Sequence, residues 1–172
     1  MRNESDAKQV ESEFTFRAYL TAILGVASIL AALIFGLNVL VRTPMQIRGI
    51  DIYVMSLILF SCCYLFLGEL RTKAIKIVIG QNGMEKSGFL GFGGKVNFRF
   101  SEFDGFLTCD IATKNVVHEY LYLMKGDKKR IKVSEAYHAN YRELKDQIAL
   151  KVKNSGHIQF VFWDEVREIF SK

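Results

Sequence analysis

The sequence predicts an α+β membrane protein: a two-helix transmembrane hairpin, then a small antiparallel β-barrel or sandwich closed by a C-terminal helix. Three observations carry this. Two long stretches lack charge altogether, and a run of short segments after residue 73 alternates apolar with polar side chains. One later segment is apolar only at helical spacing.

The first uncharged stretch is Ala18–Val41, bounded by Arg17 and Arg42. A helix needs about 20 apolar residues to cross a hydrocarbon core roughly 30 Å thick, so this one spans with length to spare. The second, 52–68, lies between Asp51 and Glu69, at the short end of the spanning range. Half of the 172 residues are hydrophobic, which is high for a wholly water-soluble chain and natural for a hybrid. The net charge of +5 has its excess after residue 70. That balance suits an anionic lipid surface, and nucleic acid is not an expected partner.

Residues 1–17 form a polar cytoplasmic leader, of which 1–13, mixed in charge, are expected to be frayed. Its acidic residues Glu4, Asp6, Glu11 and Glu13, and the long apolar core that follows, argue against a cleaved signal peptide. Phe14, Phe16 and Tyr19 stand where an interfacial aromatic belt would form. Within the first span (18–41), Gly25, Ser28, Ala32 and Gly36 share one helix face. Lipid gives apolar helices no hydrophobic reason to pair, so small residues that let backbones approach supply much of the association. Packing against the second span is the first expectation for this stripe, and homo-oligomerisation the sharper one. Asn38, near the outer end, is expected to bond locally rather than line a pore.

Residues 42–51 contain the only proline, Pro44, and form a short extracytoplasmic loop. Basic residues in the leader (Arg2, Lys8, Arg17) and after the second span (Arg71, Lys73, Lys76, Lys86) outnumber Arg42 and Arg48 in that loop. This bias places both termini and the soluble domain in the cytoplasm.

Ala74–Gly80 then reads as a strand and Gln81-Asn82-Gly83 as a tight turn, since Asn-Gly takes positive φ readily. Further strands follow at Met84–Leu90, Lys95–Phe100, Phe103–Asp110, Asn115–Met124 and Lys129–Val133, with a glycine-rich hairpin tip at Gly91–Gly94. Asn140 with Glu143 resembles a capping box. Tyr141, Leu144, Ile148 and Val152 fall on one face of the helix it opens, with Tyr137 in phase just before. Asn154-Ser155-Gly156 ends that helix, which bounds the domain at 73–156. Residues 157–172 add a strand, His157–Phe162, and a short amphipathic helix, Trp163–Phe170.

Enzyme signatures are missing: there is no P-loop, G-x-S-x-G, H-E-x-x-H or C-x-x-C, and the three histidines are widely spaced. No catalytic residue, metal site or cofactor is expected. Cys62, Cys63 and Cys109 lack framework spacing and are expected to be buried free thiols. The stretch Gly88–Gly94 lacks a following helix, so it is a hairpin turn rather than a phosphate loop. Its Phe89, Leu90 and Phe92 either pack over the barrel end or dip into lipid or a partner. Two basic sets stand out as candidate ligand or lipid contacts. One is Lys86, Lys95 and Arg99. The other is Lys128, Arg130 and Lys132, which alternation sends outward while Ile131 and Val133 point in. Each set is either a solvated strand face or a surface for anionic lipid, where a charge contributes about 1 kcal/mol.

Ile77–Met84, Ser101-Glu102-Phe103 and Asn140-Tyr141-Arg142-Glu143-Leu144, set behind two spans, resemble small bacterial membrane proteins carrying a pleckstrin-homology-like (PH-like) domain. The resemblance covers residues 74–153 and implies seven strands before the closing helix, where six are read here. It implies docking or scaffolding at the inner membrane. Phosphoinositide-binding versions of that fold place basic residues in and after the first hairpin, ending in Lys-x-Arg; here Lys95 and Arg99 are four apart. The expectation is therefore a non-enzymatic, membrane-anchored interaction or regulatory protein, presenting its domain to a protein or anionic-lipid partner. Two alternatives use the same parts. One is a cyclic-nucleotide-gated, membrane-disrupting effector of antiphage defence, and the other a membrane immunity protein that sequesters a toxin.

Overall fold

The computed structural model describes residues 9–41, 48–112 and 116–159. Residues 1–8, the connector 42–47 with Pro44, and 160–172 with the expected amphipathic helix lie outside the described residues.

Both apolar stretches are helices. The first, α1, covers Phe16–Leu40; the second, α2, covers Gly49–Cys63 and continues as a π-helical turn over Tyr64–Leu70. Each is long and apolar enough to cross a membrane, and the protein buries only 11% and 6% of their most apolar windows. They meet over small residues. A side chain at Gly25 would lie 3.2 Å from the Phe66 ring, and one at Gly36 would lie 3.3 Å from Met55. Cys62 Sγ approaches Ser28 Oγ at 3.2 Å, and Ala32 is half-buried. Asn38 donates to the Ile34 carbonyl at 2.8 Å, the local bond expected of it.

Among the described residues the alternating segments build two four-stranded sheets and no closed barrel. The first sheet is ordered β1 (Val10–Glu11), β2 (Lys76–Ile79), β3 (Gly83–Ser87), β4 (Lys95–Arg99). The second contains β5 (Gly105–Ala112), β6 (Val117–Lys125), β7 (Lys128–Ser134) and β8 (Asn154–Ile158), in the order β7-β6-β5-β8. Closure fails for a local reason: a short 3₁₀ turn over Phe100–Glu102 delivers β4 and β5 to different sheets. On the other side β8 lies parallel to β5 and occupies the edge that closure would need, so the domain is not wholly antiparallel.

Helix α3 (Tyr141–Ala149) covers both inner faces, with Val152 just beyond its end. Tyr141, Leu144 and Ile148 pack with Ile77 and Met84 of the first sheet and with Phe106, Leu121, Leu123 and Ile131 of the second. Burying a side chain such as Leu144 contributes roughly 1.5–3 kcal/mol, so this single stripe does much to hold the two sheets together.

Several boundaries differ from expectation. The Met84–Leu90 strand stops at Ser87, because Phe89 and Leu90 leave extended backbone for φ of 52° and 58°. In the β2–β3 turn neither Asn82 nor Gly83 has positive φ. Gly83 is needed instead for space, since a side chain there would collide with the Phe98 carbonyl oxygen. Asn154-Ser155-Gly156 does not end the helix. Those residues open β8, where the register shifts beside Phe106 and Leu107 and Gly156 takes φ of 116°.

The largest departure is in the leader, whose residues 9–13 are docked rather than frayed. Strand β1 pairs antiparallel with β2, and Val10, opposite Ile79, is buried in the core. The Ser12 N–H donates to the Ile77 carbonyl at 2.8 Å, and Ser12 Oγ accepts from the Ile77 N–H at 2.9 Å. Asn140 makes no cap bond to α3. Its Oδ1 accepts from the Glu13 N–H at 2.9 Å and its Nδ2 donates to the Glu11 carbonyl at 2.8 Å, so it clamps the leader. With β1 included, seven described strands precede α3.

Asn140→Ala should therefore strip two exposed hydrogen bonds from the leader backbone and destabilise the domain by about 0.5–1.5 kcal/mol. The readout is a lower melting temperature of the full chain in detergent. An unchanged melting temperature would mean that the leader is not held by this clamp.

Candidate functional site

The docked leader runs directly into α1, so helices and sheets meet at a short junction. The Thr15 N–H donates to the Tyr137 carbonyl at 3.0 Å, and Thr15 Oγ1 to the Ala136 carbonyl at 2.7 Å. The Ala139 N–H donates to the Glu13 carbonyl at 2.8 Å. Ala18 of α1, Leu70 and Ala74 at the end of α2, and Ala136 and Tyr137 of the domain form one buried cluster. Phe14, Phe66, Phe89 and Leu90 pack around it.

Inside the junction lies a buried polar network. Tyr137, only 1% exposed, donates its hydroxyl to Glu69, itself 8% exposed. Glu69 also accepts from Tyr64 at 3.0 Å and from Lys73 Nζ at 2.8 Å. Thr21 Oγ1 lies 3.3 Å from the Tyr137 hydroxyl, and the Arg17 guanidinium sits 5.7 Å from the Tyr137 ring centroid. The π turn makes this possible. Side chains five apart on an α-helix diverge by about 140°, whereas i→i+5 bonding brings them onto one face. Tyr64 and Glu69 are five apart and meet.

A buried carboxylate is tolerable only when hydrogen-bonded and paired, and these donors supply that. Burial, and then the facing Glu69 carboxylate, push the Tyr137 phenol from its ordinary 10 up to about 12. Tyr137 thus remains a donor throughout the physiological range. Beside it, His138 is 1% exposed, with Nε2 2.8 Å from the Ile75 carbonyl and Nδ1 against the Ser134 backbone. Burial lowers its pKa below the ordinary 6.5, and the backbone bonds only partly oppose this. It serves as a neutral structural pin.

Next to the junction is a cationic mouth between the sheets. Lys86 is two residues from Met84 on β3, so it shares Met84's inward face; in register it stands opposite Ile77. Its ammonium reaches across the gap and donates to the Arg130 carbonyl on β7 at 3.2 Å. Burial, and then the charge of Arg71, lower the Lys86 pKa. Arg71 follows the last residue of the π turn. A side chain at Gly88 would lie 3.8 Å from the Arg71 carbonyl, so the end of β3 abuts the end of α2. Among the described residues Arg71, Lys86 and Arg130 have no carboxylate partner.

Of the two predicted sets, Lys86 thus reaches only the backbone of Arg130, whose side chain alternates outward from buried Ile131, and the charge that joins Lys86 is Arg71. Sequence reasoning missed Arg71 as a site residue, using it only for orientation; its place just past the second span was the available signal. The other candidates lie elsewhere. Lys95 pairs with Glu85 at 2.9 Å on the outer face of the first sheet. A cavity of about 540 Å³ lies there, lined by Glu11, Lys76, Glu85 and Lys95 among others. Its charges cancel, because Lys76 also pairs with Glu11 at 2.5 Å. Arg99 is exposed at the end of β4, and Lys128 at the start of β7.

Lys132 corrects the expectation of an outward, solvated side chain, being 6% exposed. It is on the outer face, but that face carries Tyr120 and Tyr122, whose ring centroids lie 4.6 and 5.5 Å from its ammonium. Cys109 is buried with those tyrosines, Cys62 is half-buried and Cys63 is exposed; all three are free thiols. Among the described residues no group of three or more His, Cys, Asp or Glu side chains converges as a metal site would require. Comparison with protein-family models, curated proteins and solved structures finds no match to this chain.

Tyr137→Phe should leave Glu69 a donor short and destabilise the protein by about 1–3 kcal/mol. A phenol with a raised folded pKa contributes stability that is fully present below pH 10 and lost as pH rises through about 12. The variant should therefore lose one tyrosine's share of the alkaline decline in melting temperature. Identical profiles for both proteins would show that this network does not hold the junction.

Proposed function

We propose that this chain is a non-enzymatic, membrane-anchored interaction protein that holds an anionic lipid headgroup at the mouth between its sheets. In this reading α1 and α2 cross the cytoplasmic membrane, both termini lie inside, and the domain is PH-like. Two sheets, a closing helix and the seven strands before it support the PH-like assignment.

One observation carries the proposal: Lys86 is an inward-facing, partly desolvated cation without a carboxylate partner among the described residues, further disfavoured by Arg71. A phosphodiester placed there would offset both the desolvation and the repulsion. Because Arg71 directly follows the second apolar helix, the mouth would sit at headgroup depth in the inner leaflet. The broken Lys-x-Arg spacing loses its weight, since Lys95 is already taken by Glu85. The small-residue stripe is occupied by the chain's own second helix at Gly25, Ser28 and Gly36, which favours a packed hairpin over oligomerisation through that face.

Native mass spectrometry of the detergent-released protein, with phosphatidylglycerol or phosphatidylcholine added, tests this reading. The anionic lipid should be retained preferentially, and Lys86→Gln and Arg71→Gln should each weaken retention about fivefold, or ~1 kcal/mol. Equal retention of both lipids would overturn the proposal. A shift to higher oligomers on adding one cyclic nucleotide would favour the gated effector instead.

A further inference from the structure

The connection between β3 and β4 is tightly shaped. Phe89 and Leu90 are the only non-glycine residues with positive φ among those described. Such conformations are costly for bulky side chains and persist only where the surroundings hold them. Here the Leu90 N–H donates to the Ala74 carbonyl at 2.8 Å, and both side chains pack on the junction cluster. Gly91 follows with φ of 98°, where a side chain would lie 2.8 Å from the Lys76 stem. Gly93 folds back on Gly88, with room for only 3.1 Å between an added side chain and that backbone.

The outcome of this shaping is to present Phe92. At 92% exposure it is the most exposed large apolar side chain among the described residues. Its loop is anchored on the cluster that contains Ala18 and Leu70, which lie in the terminal turns of the two apolar helices at one end of the hairpin. Phe16 and Tyr19, at 78% and 50% exposure, stand at that same end. Exposed aromatics thus surround the place where the helices would leave a bilayer, and aromatic rings prefer that depth. Arg71 directly follows Leu70 and Lys86 is next to last in the strand that leads into this loop, and neither has a carboxylate partner among the described residues, as a phosphate contact would require.

We propose that Phe92 inserts into the acyl–headgroup boundary of the same leaflet from which α1 and α2 emerge. It forms a third membrane contact that sets the height and tilt of the domain over the surface. This rests on the membrane-spanning reading, and the occupant is lipid.

The test uses the full chain in vesicles of phosphatidylcholine and phosphatidylglycerol, with the one native tryptophan removed by Trp163→Phe. In that background Phe92→Trp reports on the loop, and Leu30→Trp, on the exposed surface of α1, reports on the span. Lipids brominated near the glycerol or near the chain ends quench tryptophan by depth. Leu30→Trp should be quenched most by the deep bromines, and Phe92→Trp should be blue-shifted and quenched most by the shallow ones. Water-like, unquenched emission from Phe92→Trp, with Leu30→Trp still quenched, would overturn the insertion while the spans stand. Blue-shifted but unquenched emission would mean that protein covers Phe92, which also overturns it. If neither reporter is quenched, the membrane reading fails and the insertion with it.

Discussion

A carboxylate buried where the apolar helices meet the sheets is the constraint on which the rest of the arrangement depends. Glu69 is held by Tyr64 from its own helical turn, by Lys73 just beyond it, and by Tyr137 from the approach to α3. Removing a partner from a buried charge costs far more than the pair's net contribution, because the remaining charge is left uncompensated. The network therefore penalises any rotation of the hairpin relative to the domain. The leader adds a second tie, through Val10, Ser12, Glu13 and Thr15. Both apolar helices are consequently fastened to the domain, α1 through the leader and α2 through Glu69, rather than strung on a linker.

This bears directly on the proposed function. A lysine between two sheets is a common surface feature when the sheets face solvent at random. Here the mouth lies immediately past α2, and the Phe89–Leu90 turn packs on the residues that end both apolar helices. The junction thus fixes where the cations and Phe92 stand relative to the hairpin. If the hairpin crosses a bilayer as proposed, the junction presents the mouth and Phe92 to the leaflet, and the Phe92 contact then sets the height and tilt of the domain.

Much of the fold was legible because its signals are local. Absence of charge marked α1 and α2, and Tyr141, Leu144, Ile148 and Val152 marked the buried face of α3. What escaped depends on residues distant in sequence. Glu69 looked like a boundary charge, and its burial required Tyr137, 68 positions later. Asn140 fitted a local capping pattern, yet its bonds go to Glu11 and Glu13, more than a hundred residues back. Strand β1 is two residues long, too short to show alternation, and exists because β2 offers it an edge. Alternation placed Lys132 on the correct face but says nothing about cover, and the flanking Tyr120 and Tyr122 come from the neighbouring strand. Lys86 was singled out for its charge; that it faces inward follows only once Met84 is seen in the core.

Hydrogen–deuterium exchange of the full chain in lipid nanodiscs probes the doubly tied junction itself. The amides of Thr15, Leu90 and Ala139, which bond across it, should be protected as strongly as core amides such as Leu121 of β6. Rapid exchange at those junction amides, beside a protected sheet core, would instead describe a domain that swivels freely on its helices, and would contradict the account.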